Sequence, residues 1–326
     1  MAPAFSAAQK TASRPSGASV KLTLHGPGVE LTCDVPPVRA WIAQILGAFE
    51  VDELPGGPGT IRGSVRPYSE SEVIRRLPVI AQPLHRPGEL TEIYAHEERF
   101  WTIDDRWGMC EINLLRGQWQ SWVLPQARLD SMPLFDAVVL WPLAQLLKHR
   151  GLHLVPAASV ARGGFAAMLL SPVGLGAELA MLMAGGFRLI GQRWTIAREH
   201  QGDVELLHVP GAVERQAAAP FGQVECEWED LTTHRAGSEQ HRAICGAVLV
   251  AEAARRPRAH LDMLDSDDAA ALLRRAWPIP ELHPHRARGQ FTGQLAQLCP
   301  SFRLQLSREP RDILMLLDSL QTSAVS

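Results

Sequence analysis

Ser171-Pro172-Val173-Gly174-Leu175-Gly176-Ala177-Glu178 is the stretch on which the fold of this 326-residue chain turns. Immediately before it, residues 165–170 (FAAMLL) are apolar throughout and have the length of a buried strand. After it, residues 177–184 are rich in good helix formers, and residues 187–190 (FRLI) read as a second strand. Upstream, residues 153–160 read as a strand that returns through the tight Arg162-Gly163-Gly164 turn. Strand, glycine-bearing loop, helix and strand in that order predict an α/β domain.

A loop of this kind binds phosphate when backbone amides wrap the anion, a lysine meets the β and γ oxygens, and a serine or threonine hydroxyl holds magnesium. In the frame 171–178, Ser171 opens the loop and Gly174 and Gly176 stand at permissive turn positions. Ala177 stands where the lysine is needed, and Glu178 where the hydroxyl is needed. Removing a cation and adding a carboxylate makes such a loop less welcoming to a polyanion. Alanine cannot stabilise a transferring phosphoryl group.

From about residue 146 to 320 the chain resembles the HPr kinase/phosphorylase-related family, especially the bacterial HPr-kinase-like proteins associated with peptide-modifying gene systems. Members of that family carry a histidine ahead of three small residues and a valine. Here Pro156 precedes Ala157-Ala158-Ser159-Val160. Where they have glycine, lysine and serine or threonine, this chain has Gly176-Ala177-Glu178. Their paired acids after the next strand correspond to Gln192 and Arg193. The resemblance implies a degenerate P-loop HPr-kinase-like domain whose phosphotransfer chemistry is lost at three separated places. The later run 244–250, the helix near 268–277 and the helix near 310–320 fit the same scaffold.

Working outward, residues 1–19 read as a disordered leader with no apolar core for a signal peptide. A small α+β domain is expected over 20–130 and the kinase-like domain over 131–326. Within the first, residues 20–24 and 29–33 read as strands joined by His25-Gly26-Pro27-Gly28, and 38–49 as a helix. Residues 60–65, 90–94, 99–103 and 109–114 read as further strands. Trp101, Trp107, Trp119 and Trp122 could line a ligand cage, but sheet packing is the simpler account. Residues 133–149 read as one long helix in which Pro142 forces a kink or a fresh start. Asp265-Ser266-Asp267-Asp268 is better explained as a helix cap than as a calcium loop, since the tight glycine of such a loop is missing.

The charge inventory, 32 Lys and Arg against 35 Asp and Glu, argues against a generally basic nucleic-acid-binding surface. Five widely spaced cysteines form no CxxC pair or disulfide framework and read as reduced thiols in a cytoplasmic protein. No run reaches the roughly 20 apolar residues of a spanning helix, so no membrane partner is expected. His283, His285, Arg286 and Arg288 form a basic patch suited to a phosphate or an acidic partner segment. His96-Glu97-Glu98 and Asp104-Asp105 lack the spacing of a metal site or an acid/base pair. His153, His200, His208, His234 and His241 are dispersed candidates for a pocket.

The expectation is therefore a non-catalytic pseudokinase without cofactor or metal. It would act as a peptide- or protein-binding scaffold, or as an accessory subunit in peptide modification. A homo-oligomer and a hetero-oligomer are both compatible with this. A nucleotide-sensing pseudokinase and a divergent peptide or serine kinase with displaced catalytic residues are the alternatives.

Overall fold

Strand pairing sorts the chain into a mixed α/β architecture with two large sheets, each in its own compact unit, residues 1–146 and 147–326. The computed structural model describes residues 19–55, 59–69, 81–83, 91–127, 132–171, 174–209, 213–218, 224–229, 242–252, 256–276 and 288–325. The expected leader over 1–19 lies outside the described residues except for its last position.

In the first unit, β1 (Ser19–Thr23) and β2 (Gly28–Cys33) form an antiparallel hairpin. The helix Pro36–Leu46 follows, with prolines in its first turn, where their missing amide protons have no helical partner to lose. Its buried Val38, Ile42, Ile45 and Leu46 recur at helical spacing and form the stripe that packs inward. β3 (Ile61–Pro67) then lies parallel to β2, so the helix is a crossover connection. β4 (Gln82–Pro83), β5 (Glu92–His96), β6 (Arg99–Asp104), β7 (Gly108–Asn113) and β8 (Gln118–Val123) complete the order β1-β2-β3-β8-β7-β6-β5-β4, with β8 parallel to β3.

The tryptophans are sheet packing. Trp101 and Trp122 are fully buried around Met109, and Trp119 lies over Gly63, its partner on β3. A Cβ on Gly63 would stand 2.2 Å from the Trp119 ring, so only glycine leaves room for it. His96 ends β5, and Glu97 takes the left-handed backbone (φ 51°) of the turn that follows it. Asp104 accepts from Thr91 Oγ1 (2.7 Å) and from Arg106 N, Nε and Nη2 (2.9, 2.8 and 2.5 Å), which makes it a buried turn anchor.

The long helix expected over 133–149 is interrupted. It runs as α-helix over Met132–Phe135, π-helix over Asp136–Leu140 and α-helix again over Trp141–Lys148. The cause lies in Pro142. The amide that an α-helix would direct at the Val138 carbonyl belongs to residue 142 and carries no proton. Val138 O accepts instead from Ser121 Oγ at 2.7 Å and Trp119 Nε1 at 3.3 Å, both on β8.

In the second unit, the stretch expected as one strand over 153–160 is two, β9 (His153–Val155) and β10 (Ala158–Arg162), because Pro156-Ala157 makes a turn closed by Ala157 N–H to Val155 O at 2.8 Å. β10 returns through Gly163-Gly164 into β11 (Phe165–Leu170). The helix Gly176–Ala184 leads to β12 (Arg188–Gly191), and β13 (Thr195–His200) pairs with β14 (Asp203–Leu207). β15 (Val213–Ala218) and β16 (Val224–Glu229) form a separate hairpin. β17 (Arg242–Ala251), β18 (His260–Met263) and β19 (Ser301–Gln305) finish the sheet, with β11, β17 and β19 mutually parallel in sequence of pairing.

β11 and the Ala247–Ala251 half of β17 are continuous apolar runs because both of their faces are buried. On one face Phe165, Ala167, Leu169, Ala247, Leu249 and Ala251 share a core with Leu179 and Leu182 of the Gly176–Ala184 helix and Ile313 and Leu317 of the final helix, Asp312–Val325. The helices Ser266–Ala276 and Arg288–Leu298 pack on one another, and none of their described side chains is among the buried residues of that core. The acidic cluster is a helix cap: Asp265 Oδ1 accepts the Asp268 amide at 2.8 Å.

The candidate phosphate-loop corner

The loop residues occupy a position set by β11 and by the helix after it. Leu170 ends β11, and Gly176 is already the first residue of the helix. Ser171 is half-buried, Gly174 is exposed, and Leu175, which follows it, is buried in the core; Pro172 and Val173 lie outside the described residues. Gly176 is helical, so no left-handed turn is made there. The glycine that is needed comes after the helix. Gly186 (φ +90°) ends it through Gly186 N–H to Met183 O and Phe187 N–H to Leu182 O, both 3.0 Å, the closing pattern that demands a left-handed residue at this point.

The helix start carries no side-chain cap, and Leu175 precedes it at φ −107°, ψ 17°. Ala177 is exposed. Glu178 is 1% exposed and shares its side of the helix with Leu179 and Leu182, which pack into the core. The residue in the hydroxyl position is thus a carboxylate turned into the protein, and the residue in the lysine position is a methyl group facing outward.

The sheet brings the other sequence-predicted positions to the same end. The β10/β11 register sets Ala158 opposite Leu169, so Pro156 and Ser171 lie just beyond the paired ends of these two strands. The β10/β12 register sets Ser159 opposite Gly191, and Gln192 and Arg193 follow directly. Gln192 is 5% exposed and Arg193 half-buried. Pro156 itself has no ionisable group and forms the turn between β9 and β10.

Two hydroxyl residues not singled out as candidates from the sequence, together with the candidate His208, hold this corner together. Thr195 Oγ1 donates to Ala157 O at 2.9 Å and accepts from Ser159 Oγ at 2.8 Å; all three residues are buried. His208, also buried, directs Nδ1–H at Ile190 O at 2.7 Å, and Val209 N–H bonds the same carbonyl at 3.1 Å. A hydroxyl on each of two strands thirty-six residues apart leaves no local signal, which is why Ser159 and Thr195 escape a reading by motif.

The remaining candidates do not join them. His153 stacks on Phe291 with ring centroids 3.6 Å apart, and burial, with Lys148 nearby, pushes its pKa down to about 3, so it is neutral at pH 7. His200 is exposed at the end of β13. His234, His241, His283, His285 and Arg286 lie outside the described residues, and Arg288 begins the Arg288–Leu298 helix. Among the described residues no group of three His, Cys, Asp or Glu is placed to hold a metal ion. No described helix is long and apolar enough to cross a membrane.

No family model matches the chain, and no curated protein matches it. Among solved structures, the HPr(Ser) kinase/phosphatase from Coxiella burnetii is similar over 52% of this chain and 89% of its own length, at 6% identity and a TM-score of 0.29.

Proposed function

We propose that this chain is a non-catalytic, HPr-kinase-like pseudokinase that serves as a peptide- or protein-binding scaffold or accessory subunit. The observation that carries the reading is the pair Ala177 and Glu178: an exposed methyl where a phosphate-binding lysine would stand, and a buried carboxylate where a magnesium-binding hydroxyl would stand. A buried acidic side chain beside the helix start offers a phosphate neither a cation nor a hydroxyl donor of the kind such a loop uses. Pro156, Gln192 and Arg193 at the same end of the sheet supply neither a general base nor a metal-binding carboxylate. What the scaffold retains is a double-sided core around β11 and β17, suited to hold a surface in place.

The candidate contacts are the corner spanning residues 171–193 and the basic residues His283, His285, Arg286 and Arg288. By the resemblance to proteins of peptide-modifying gene systems, a peptide or a modifying enzyme is the proposed partner. Full-length tagged chain co-expressed with the proteins encoded beside it should recover a stoichiometric complex that ATP and magnesium neither form nor release. No complex, or phosphate transfer to a co-purified partner, would overturn the proposal. Release of the complex by nucleotide alone would replace it with the sensor reading.

A further inference from the structure

Cys245 lies where one edge of β17 changes partners. Arg242 to Ile244 pair antiparallel with β14, through Leu207↔Arg242 and Glu205↔Ile244, whereas from Val248 onward β17 pairs parallel with β19. In the gap between these ladders the Cys245 carbonyl accepts from Cys299 Sγ at 3.7 Å. Along β11 the register steps from Ala166↔Cys245 to Ala167↔Ala247, so Gly246 is an extra residue. Such a bulge reverses the alternation of side chains. It turns Cys245 away from the face that carries Ala247, Leu249 and Ala251. Cys299, the residue directly after the Arg288–Leu298 helix, reaches the same place; both thiols are buried, and Cys245 Sγ donates to Ala247 O at 3.5 Å while Cys299 Sγ donates to Cys245 O.

We propose that Cys245 and Cys299 are a reversible dithiol–disulfide pair that, on oxidation, staples the end of the Arg288–Leu298 helix to β17. Cys299 Sγ stands 3.7 Å from the main-chain oxygen of the residue it would have to join, which brings the two residues into direct contact. With hydrogen peroxide as oxidant, one thiolate attacks a peroxide oxygen, the O–O bond breaks, and a sulfenic acid forms with loss of hydroxide. The second sulfur then displaces the sulfenic oxygen as the S–S bond forms. With the two thiol protons, the products are one disulfide and two waters. The neighbouring Cys299 thiol and burial raise the Cys245 thiol well above its usual range, so the reaction quickens with rising pH. Cys33 and Cys110 belong to the other unit.

The test treats the full chain with hydrogen peroxide at mildly alkaline pH, then counts alkylatable thiols in denaturant and maps peptides without reduction. The expected result is loss of two of the five thiols, a Cys245–Cys299 linked peptide about 2 Da lighter than its reduced parts, and full recovery with a thiol reductant. In Cys299→Ser the linked peptide should disappear. Five thiols retained, sulfinic acid at either position, or a link that involves Cys33, Cys110 or Cys226 would overturn the proposal.

Discussion

At the scale of single residues, unsatisfied backbone groups explain several side chains that pattern alone does not. Ser121 is fully buried on a strand, and its hydroxyl serves the carbonyl that Pro142 cannot. Ser121→Ala should cost about 1–2 kcal/mol in urea unfolding, the penalty for leaving a buried acceptor half-served. In a Pro142→Ala background the same substitution should cost less, because residue 142 regains an amide for Val138 O; equal costs in both backgrounds would refute the link. His153 gives a second residue-scale prediction. Its pKa of about 3 in the folded chain lies below the ordinary value of 6.5, so between these limits the unfolded chain binds a proton that the folded chain does not. Stability should therefore fall as pH drops from about 6.5 towards 3, with a limiting slope of about 1.4 kcal/mol per pH unit. His153→Phe, which keeps the stack on Phe291, should remove that component from the pH profile of thermal unfolding. Neither effect is legible in sequence: the proline is visible, but its remedy comes from β8, about twenty residues upstream.

At the scale of elements, Arg162 joins three pieces of the second unit. Its guanidinium donates to Gln321 Oε1, to Gly185 O at 2.9 Å and to Asp318, and lies 4.2 Å over the Phe187 ring. The hairpin turn, the end of the Gly176–Ala184 helix and the final helix thereby share one anchor. Arg162→Lys should destabilise the chain nearly as much as Arg162→Ala, by about 1–3 kcal/mol in denaturant titration, because an ammonium cannot reproduce the planar fork and its stacking. In the first unit, Gly63→Ala should cost about 1–3 kcal/mol by driving the Trp119 ring off β3; melting unchanged from wild type would show that the ring has free space. Elements buried on both faces, such as β11 and the Ala247–Ala251 half of β17, were readable as apolar runs. β13 and β14 were not, because Arg198 and Glu205 interrupt them and owe their burial to each other, at 2.7 Å across the pair. β8 was hidden in the same way, with Gln118 and Gln120 on either side of Trp119 and Ser121 before Trp122.

At the scale of the molecule, the order of elements around the loop was legible because strand, helix and glycine signals are local. The convergence of Pro156, Ser171, Gln192 and Arg193 at one end of the sheet depends on registers between strands distant in sequence. So does the inward turn of Glu178, which expresses the helix face and the core it meets. On the proposed function, this loop holds no nucleotide. The most direct test is calorimetric titration of the folded full-length chain with ATP and with GTP, each with and without magnesium. No saturable heat is expected in any of the four titrations; saturable, magnesium-dependent binding would contradict the proposed function.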